Sequence, residues 1–342
     1  MRRKARISIK LGFLAVLLFA VAAIAQDDSQ FRIRAKIDLV VVPVTVKAPG
    51  DRLLGSLRQK DFIIYEDGRR QTISNFTNDP VPLSAAVIVD TGLSADSLTK
   101  VQQSFGAMSG AFANQDEVAV YHYDKYVTKD LDFTDNQDTV ETAMKKLREL
   151  KPDENAGTAP SWRGPFSNPG PIINGAPVLP PSLAGPAVNS PVKVDKVLHD
   201  AVFTAAADLG KRARSRRKMI LLVSDGIAAG DSHSYEDAKN ILLERGIQVY
   251  AVALDQPFPY SKLSVLEDYA KVTGGDTYFV KSTQHLERSY MDATSEARNQ
   301  YVIGYISNNG VHGPGPVFRE IKVQVAEAKV KTLYRKGYYA FP

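Results

Sequence analysis

Two apolar runs in this chain each end at an aspartate, and they constrain the fold more than any other feature. Residues 85–89 (Ala-Ala-Val-Ile-Val) lead into Asp90, and residues 219–223 (Met-Ile-Leu-Leu-Val) lead through Ser224 into Asp225. A run that is apolar on both faces and bounded by turn residues is typical of a buried parallel strand. Both aspartates are then expected at the carboxyl edge of an open α/β sheet, where such sheets bind ligands.

Two interpretations of these acidic strand ends are open at the level of sequence. Asp90 and Asp225, with the nearby hydroxyl of Ser94, could supply the oxygen ligands of a cation. Alternatively, each aspartate caps the helix that follows its strand.

Strand and helix patterns alternate through the middle of the chain. This alternation predicts an α/β domain over residues 84–297, with a doubly wound, mostly parallel sheet and helices on both faces. One segment, Tyr126–Phe133, is expected to pair back on the strand before it. The other predicted strands lie at 117–123, 247–254 and 277–280, and the helical periodicities lie at 98–112, 140–150, 194–209, 234–245, 263–270 and 284–297.

The two ends of the chain have a different pattern, which predicts antiparallel strands. Asp67-Gly68 lies between two apolar runs and indicates a hairpin, while Pro43 suggests that its strand is at a sheet edge. Neither end can bury an apolar face alone, so residues 33–80 and 299–340 are predicted to form one small β module. Its predicted strands are 37–46, 62–65, 71–76, 301–306, 318–325 and 331–338.

The first 25 residues have the pattern of a signal peptide. A basic start precedes the apolar run 11–25, which ends in Ala23-Ile24-Ala25. Export to the periplasm or the extracellular space is therefore predicted, with no membrane span after cleavage; an uncleaved anchor is the alternative. Cleavage leaves 38 basic and 38 acidic residues, so there is no electrostatic case for nucleic acid. The chain has no cysteine, so an exported fold must rely on its apolar core.

Two segments interrupt the pattern. Residues 151–192 contain ten of the 19 prolines and five glycines, which predicts an insertion without regular structure, either poorly ordered or acting as a recognition arm. Residues 211–218 (Lys-Arg-Ala-Arg-Ser-Arg-Arg-Lys) are strongly basic. A solvated helix end explains this run better than a nucleic-acid patch does.

Residues 84–297 resemble the von Willebrand factor A (VWA) domain. The resemblance is carried by Asp90-Thr-Gly-Leu-Ser94, 115–120 (Gln-Asp-Glu-Val-Ala-Val), 221–226 (Leu-Leu-Val-Ser-Asp-Gly), 244–252 and 269–280. The flanking segments 61–68, 71–76 and 335–338 resemble secreted bacterial proteins labelled VWFA-related. Together these segments cover nearly the whole chain after residue 25.

The resemblance implies a metal-ion-dependent adhesion site (MIDAS), which holds Mg²⁺ and leaves one position for the acidic side chain of a protein partner. Asp90, Ser94 and Asp225 match the pattern, and Gly92 and Gly226 lie at the partner-binding edge. Gly92, however, replaces the first serine of the Asp-x-Ser-x-Ser motif.

The MIDAS threonine is also missing from its expected place. Lys196 occupies the aligned position, and Thr158 is the other candidate. An ammonium cannot ligate Mg²⁺, so Lys196 could pair with the aspartates in place of the ion.

Motifs of catalysis are absent from the sequence. The five histidines form no His-Glu-x-x-His motif, and there is no Gly-x-Ser-x-Gly elbow. We therefore predict an exported, non-enzymatic protein-binding protein, for adhesion or as a scaffold, with a partly degraded MIDAS. A metal-independent adaptor, in which Lys196 replaces the ion, is the alternative, and an unrecognised hydrolase is the third hypothesis.

Overall fold

A six-stranded sheet with five parallel strands forms the centre of the molecule. The computed structural model describes residues 39–151, 196–254, 264–310, 314–327 and 329–342, and the backbone of two short paired strands, β8 (Ile172–Ile173) and β9 (Ala176–Pro177). The predicted α/β class with a doubly wound, mostly parallel sheet is confirmed. In spatial order the sheet contains β12 (Thr277–Phe279), β11 (Gln248–Ala253), β10 (Arg217–Ser224), β5 (Leu83–Asp90), β6 (Glu117–Tyr123) and the antiparallel β7 (Val127–Thr134).

Helices cover both faces of this sheet. Because side chains alternate along a strand, Val87 and Val89 of β5 face one apolar cluster, while Ala86 and Ile88 face the other. The first face carries α1 (Ala95–Gln103), α2 (Phe105–Gly110), α3 (Gln137–Arg148) and α7 (Thr283–Arg298). The second face carries α4 (Leu198–Gly210), α5 (Tyr235–Arg245) and α6 (Ser264–Thr273).

The predicted helix over 98–112 is two helices, which is a correction. It breaks at Ser104, whose hydroxyl bonds to the Val101 carbonyl at 2.7 Å and lies 3.0 Å from the Tyr290 hydroxyl. A serine side chain that bonds to nearby backbone competes with the helical hydrogen bonds. The apolar periodicity continues across the break, because both helices pack on the same face of the sheet.

The predicted β module from the two chain ends is present as two four-stranded antiparallel sheets around one apolar core. The Asp67-Gly68 turn joins β2 (Phe62–Glu66) and β3 (Arg69–Gln71) with positive φ at both of its residues, as predicted. One sheet has the order β15 (Lys331–Tyr334), β1 (Leu39–Lys47), β13 (Tyr301–Ile306) and β4 (Ile73–Thr77). The other has the order β16 (Gly337–Ala340), β14 (Val317–Val325), β2 (Phe62–Glu66) and β3 (Arg69–Gln71).

Three details of the module correct the sequence predictions. Segments 71–76 and 331–338 each divide between the two sheets, which an alternating pattern alone does not reveal. The strand that contains Pro43 is internal, because β1 pairs with both β13 and β15. The β15 pairing begins only at Val44, so the flank of β1 beside Pro43 is open, and the proline is tolerated there.

Some predictions lie outside the described residues. They are the signal peptide at 1–25, the start of the module at 33–38 and nearly all of the insertion at 151–192. Of the helices that the structure describes, none combines the length and the apolar character needed to cross a bilayer.

A buried ion cluster joins the β module to the α/β sheet. The Lys47 ammonium, at the end of β1, lies 2.7 Å from Asp276 Oδ2 and also pairs with Glu296 of α7. Lys331 reaches Asp276 from the outside at 2.9 Å. Burial opposes ionisation of Asp276, but Lys47 and Lys331 hold its pKa below the usual value. Burial raises the pKa of Glu296 to about 7, because Lys47 offsets that effect only in part.

We expect Lys47→Met to lower the free energy of unfolding by about 3–5 kcal/mol at pH 8, because it leaves Glu296 buried without its cation and Asp276 with Lys331 alone. The loss should be smaller at pH 5, where Glu296 binds a proton in the folded state and unfolded glutamate does so less. Urea denaturation at the two pH values measures this. Lys331→Met is the control, since that side chain is 50% exposed and should contribute about 1 kcal/mol or less. Equal losses in the two variants would contradict the assignment.

Candidate functional site

The two predicted aspartates meet at the carboxyl edge of the sheet, with a lysine between them. The Lys196 ammonium lies 2.9 Å from Asp90 Oδ2 and 2.7 Å from Asp225 Oδ2. Asp90 ends β5, Asp225 follows β10, and these two strands are neighbours in the sheet. All three side chains are buried, with residue exposures of 0% for Asp90, 1% for Lys196 and 6% for Asp225.

Backbone contacts hold Lys196 at this position immediately before α4. Its carbonyl accepts hydrogen bonds from the amides of Ala229 and Gly230, at 3.0 and 3.1 Å. The amide of the next residue, Val197, donates to the Asp124 carbonyl at 2.9 Å. The loops after β6 and β10 therefore fix the start of α4. Ile88 and Asp90 are two residues apart in β5, so their side chains lie on the same face of the sheet. Ile88 packs on the face that carries α4, and the Asp90 carboxylate is therefore directed towards the lysine.

Two hydroxyl groups beneath the carboxylates complete the site, and neither is among the site residues predicted from sequence. Tyr123 and Ser224 each place an oxygen 3.3 Å from Asp90 Oδ2, and the two hydroxyls lie 2.8 Å apart. Tyr123 pairs directly with Asp90 across β5 and β6. The predicted strands 85–89 and 117–123 end beside Asp90 and at Tyr123, and strands that are consecutive in the chain often lie side by side. That was the signal that could have found Tyr123.

Backbone amides satisfy the remaining carboxylate oxygens. The amide of Gly92 donates to Asp90 Oδ1, and that of Ile227 donates to Asp225 Oδ1, both at 2.9 Å. Gly226 has a φ of 78° and donates its amide to Ser224 Oγ at 2.9 Å. The turn after β10 thus requires the left-handed conformation that glycine adopts readily.

The helix-capping interpretation of the two aspartates is wrong. Ser94 is the N-cap of α1, and its hydroxyl oxygen accepts a hydrogen bond from the Ser97 amide at 3.3 Å. Ser234, and not Asp225, is the N-cap of α5. Of the other predicted site residues, Thr158 lies outside the described residues.

The buried trio has two negative charges and one positive charge when all its members are ionised. Burial raises the pKa of Asp90 to about 6; Lys196 opposes that rise and Asp225 adds to it. Burial disfavours the Lys196 ammonium, but the two carboxylates outweigh it and raise the lysine pKa above its usual value. Burial and the neighbouring carboxylates also raise the pKa of Tyr123 well above 10. At neutral pH the lysine is therefore charged and the tyrosine neutral.

The residues around this position do not fit a bound Mg²⁺ ion while Lys196 occupies it. The ion requires oxygen ligands at about 2.1 Å in an octahedral arrangement, whereas an ammonium donor lies between the two carboxylates. Gly92 also contributes no hydroxyl. Within the described ranges, no group of three or more His, Cys, Asp or Glu side chains is suited to hold a metal.

Gly92 and Lys196 fit each other sterically. A Cβ atom at residue 92 would lie 2.9 Å from Lys196 Cε and 3.4 Å from Asp90 Oδ1. The first distance is too short for two carbon atoms without a shift of the lysine stem. The lysine stem therefore occupies space that a side chain at residue 92 would need.

No protein-family model and no curated protein matches this chain. Solved structures with a similar fold include a von Willebrand factor type A protein from Catenulispora acidiphila, at 10% identity over 89% of this chain and 74% of that chain, with a TM-score of 0.43. They also include BatB from Bacteroides thetaiotaomicron, at 13% identity over 64% of this chain and 98% of that chain, with a TM-score of 0.41.

Proximal thread matrix protein 1 from the mussel byssus, solved with a zinc-occupied MIDAS motif, is another similar structure. It is 15% identical over 68% of this chain, with a TM-score of 0.42, and the match spans 49% of its own length. The chain therefore matches only about half of the mussel protein. All of these similarities concern the fold alone.

We predict that Gly92→Ala lowers the free energy of unfolding by about 1–3 kcal/mol, because the added methyl group overpacks against the lysine stem. In a Lys196→Ala background the same substitution should cost less than about 0.5 kcal/mol, since the obstructing carbon atoms are gone. Urea denaturation at pH 5, where Asp90 takes up a proton more readily, keeps the lysine variant folded enough to measure.

Gly106→Ala in α2 is the matched control for this double-mutant cycle. A Cβ there has no atom within 4 Å, and alanine favours the helix by up to about 1 kcal/mol. If Gly92→Ala costs the same with and without Lys196, the steric dependence between the two residues is wrong.

Proposed function

We propose that this protein is an exported, non-enzymatic protein-binding module of the VWFA-related kind, in which the Lys196 ammonium takes the place of a metal ion. The observation that carries this proposal is the ammonium between Asp90 and Asp225, at 2.9 and 2.7 Å. It favours metal-independent binding over the Mg²⁺-dependent hypothesis. The fold supports the general class, because VWA-like domains bind other proteins.

The charge of the site argues against an acidic side chain as the recognition element. In a MIDAS the ion attracts such a carboxylate, but here the buried trio is negative or neutral overall. Lys196 is also 1% exposed, so no free cation is offered to the partner at this point. We therefore propose that the trio fixes the loops of the carboxyl edge and that exposed residues on those loops make the contact.

Tyr126 is our candidate for the central contact residue. It is 79% exposed and lies in the turn after β6, close to the strand end where Tyr123 meets Asp90. Exposed tyrosines are enriched among the residues that contribute most to protein interfaces. The neighbouring Asp124 carbonyl is bonded to the Val197 amide, which ties this turn to the segment that carries Lys196.

The surroundings of the polar side chains support a non-enzymatic role. Ser224 is fully buried and bonded within the site. His122 contacts Asp130 and His233 contacts Asp200, both at 2.7 Å, and His199 lies 2.8 Å from the Tyr269 hydroxyl. These histidines have structural partners, so we rank a hydrolase last among the three hypotheses.

We expect calorimetric titration of the wild-type protein with Mg²⁺ or Mn²⁺ to show no binding at millimolar ion concentrations. The Gly92→Ser/Lys196→Thr double variant should bind Mg²⁺ and gain thermal stability from it, because two hydroxyls replace the ammonium beside two carboxylates. Adding Asp90→Asn to the double variant is the control and should abolish that binding. Tight Mg²⁺ binding by the wild-type protein, lost in Asp90→Ala, would overturn the proposal.

Partner binding is expected to depend on Tyr126 and to be insensitive to chelation. The immobilised protein is incubated with the exported proteins of its source cells, with and without EDTA, and the retained proteins are compared. Tyr126→Ala should reduce the specific retention at least tenfold, while Thr99→Ala on an exposed part of α1 serves as the control. Loss of retention with EDTA, or equal retention by both variants, would contradict the proposal.

A further inference from the structure

A groove at the opposite, amino-terminal edge of the parallel sheet has no role in the function proposed above. Its volume is about 590 Å³, which is within the range of about 300–1,000 Å³ found for small-molecule sites. The starts of β10 and β11 form one side, and β1 and β13 of the module form the other. Of its described lining residues, seven are Arg or Lys, and Glu244 is the one acid.

Two of these cations are buried without a carboxylate. Arg217 and Lys218 have exposures of 8% and 9%. The Arg217 guanidinium donates to the side-chain carbonyl of Gln300, and the Lys218 ammonium donates to the Gly210 carbonyl at 3.4 Å. Among the described residues neither forms an ion pair. Both belong to the basic run 211–218, so the prediction that this run is a solvated helix end is wrong for them.

Three other cations of the groove have carboxylate partners. Arg212 and Arg216 pair with Glu117, and Arg245 pairs with Glu244. A buried cation without a counter-ion is costly, and the cost appears in the pKa values. Burial lowers the pKa of Arg217, and burial together with Arg245 and Arg214 lowers that of Lys218. Both sites would gain from a nearby negative charge.

The module side of the groove is apolar. Leu39 and Val41 are 49% and 41% exposed, because they lie on the face of β1 opposite to the buried Val40 and Val42. Pro43 and Val302 extend the same wall. A groove with unpaired cations on one side and exposed aliphatic side chains on the other is complementary to a ligand with an anionic group and an aliphatic part.

We propose that this groove binds a small amphiphilic anion, with its phosphate or carboxylate group between Lys218 and Arg214 and its aliphatic part against Leu39 and Val41. The anion would supply the counter-charge that the described residues do not provide. The aliphatic part would cover apolar surface that is otherwise exposed to water. The proposal does not depend on the function of the carboxyl edge.

Calorimetric titration of the protein tests the ligand class. Octyl phosphate and octanoate, below their micellar concentrations, distinguish phosphate from carboxylate as the anionic group. At least one should bind tenfold or more tightly than inorganic phosphate, and its binding should weaken as salt is added. Octyl glucoside has the same aliphatic chain without charge and should not bind. Equal binding of octyl glucoside, or binding of an acidic peptide but of neither octyl anion, would overturn the proposal.

Substitutions in the groove test whether Lys218 and Arg214 bind the anion. Lys218→Met should weaken binding of the preferred octyl anion at least tenfold and leave the thermal midpoint of the free protein unchanged or higher. Arg214→Gln changes an exposed side chain, so it should fold normally and weaken binding severalfold. Arg52→Gln, at an exposed arginine away from the groove, is the matched control and should bind normally. A clear loss of free-protein stability in Lys218→Met would show that this cation already has an internal counter-charge, and unchanged affinity in both groove variants would likewise overturn the proposal.

Discussion

The carboxyl edge of this protein depends on one buried ammonium group. Two carboxylates at 0% and 6% exposure cannot both be ionised next to each other without a cation, because burial and mutual repulsion both oppose the second charge. Lys196 supplies that cation from the segment before α4, and in doing so it ties the ends of β5 and β10 to the opening of a helix. Removing the lysine charge leaves two buried carboxylates without a cation, which costs more than the ion pairs themselves contribute. The loops of this edge are therefore held together by electrostatics as well as by packing.

Much of this architecture could be predicted because the strongest local signals coincide with the central strands. The runs before Asp90 and Asp225 are apolar on both faces, and only a buried parallel strand explains them well. The contact between Lys196 and the aspartates also followed from sequence, since alignment with the resembled motif put a lysine where a neutral ligand was expected. Tyr123 was missed because its strand does not end in an acidic residue that would mark a site. Its position beside Asp90 follows from the register of the sheet.

The predictions about segments 71–76, 331–338 and 211–218 failed for a common reason. Each of these segments contains a point where the chain passes from one structural element to the next. Segments 71–76 and 331–338 cross from one sheet to the other without a change in alternation, so the pattern gives no sign of the crossing. The basic run at 211–218 looks solvated because six of its eight residues are Arg or Lys. Strand β10 begins within that run. Arg217 and Lys218 are its first two residues, and they are buried because the strand lies inside the sheet. The two edges of the sheet thus differ in character. At the carboxyl edge the buried carboxylates pair with Lys196, whereas the amino edge has buried cations that pair with no described carboxylate.

The steric relation between Gly92 and Lys196 explains why an ammonium site and an ion site are distinct alternatives. A serine at residue 92 with the lysine in place would force its Cβ against the lysine stem, at 2.9 Å from Cε. A threonine at residue 196 with the glycine in place would leave two buried carboxylates with too few ligands for an ion and no ammonium between them. A protein with only one of the two substitutions is therefore less stable than one with glycine and lysine, or one with serine and threonine, at residues 92 and 196. The effect of each substitution depends on the other. Glycine at residue 92 is therefore required by the lysine site, because the lysine stem occupies the space that a serine side chain would fill.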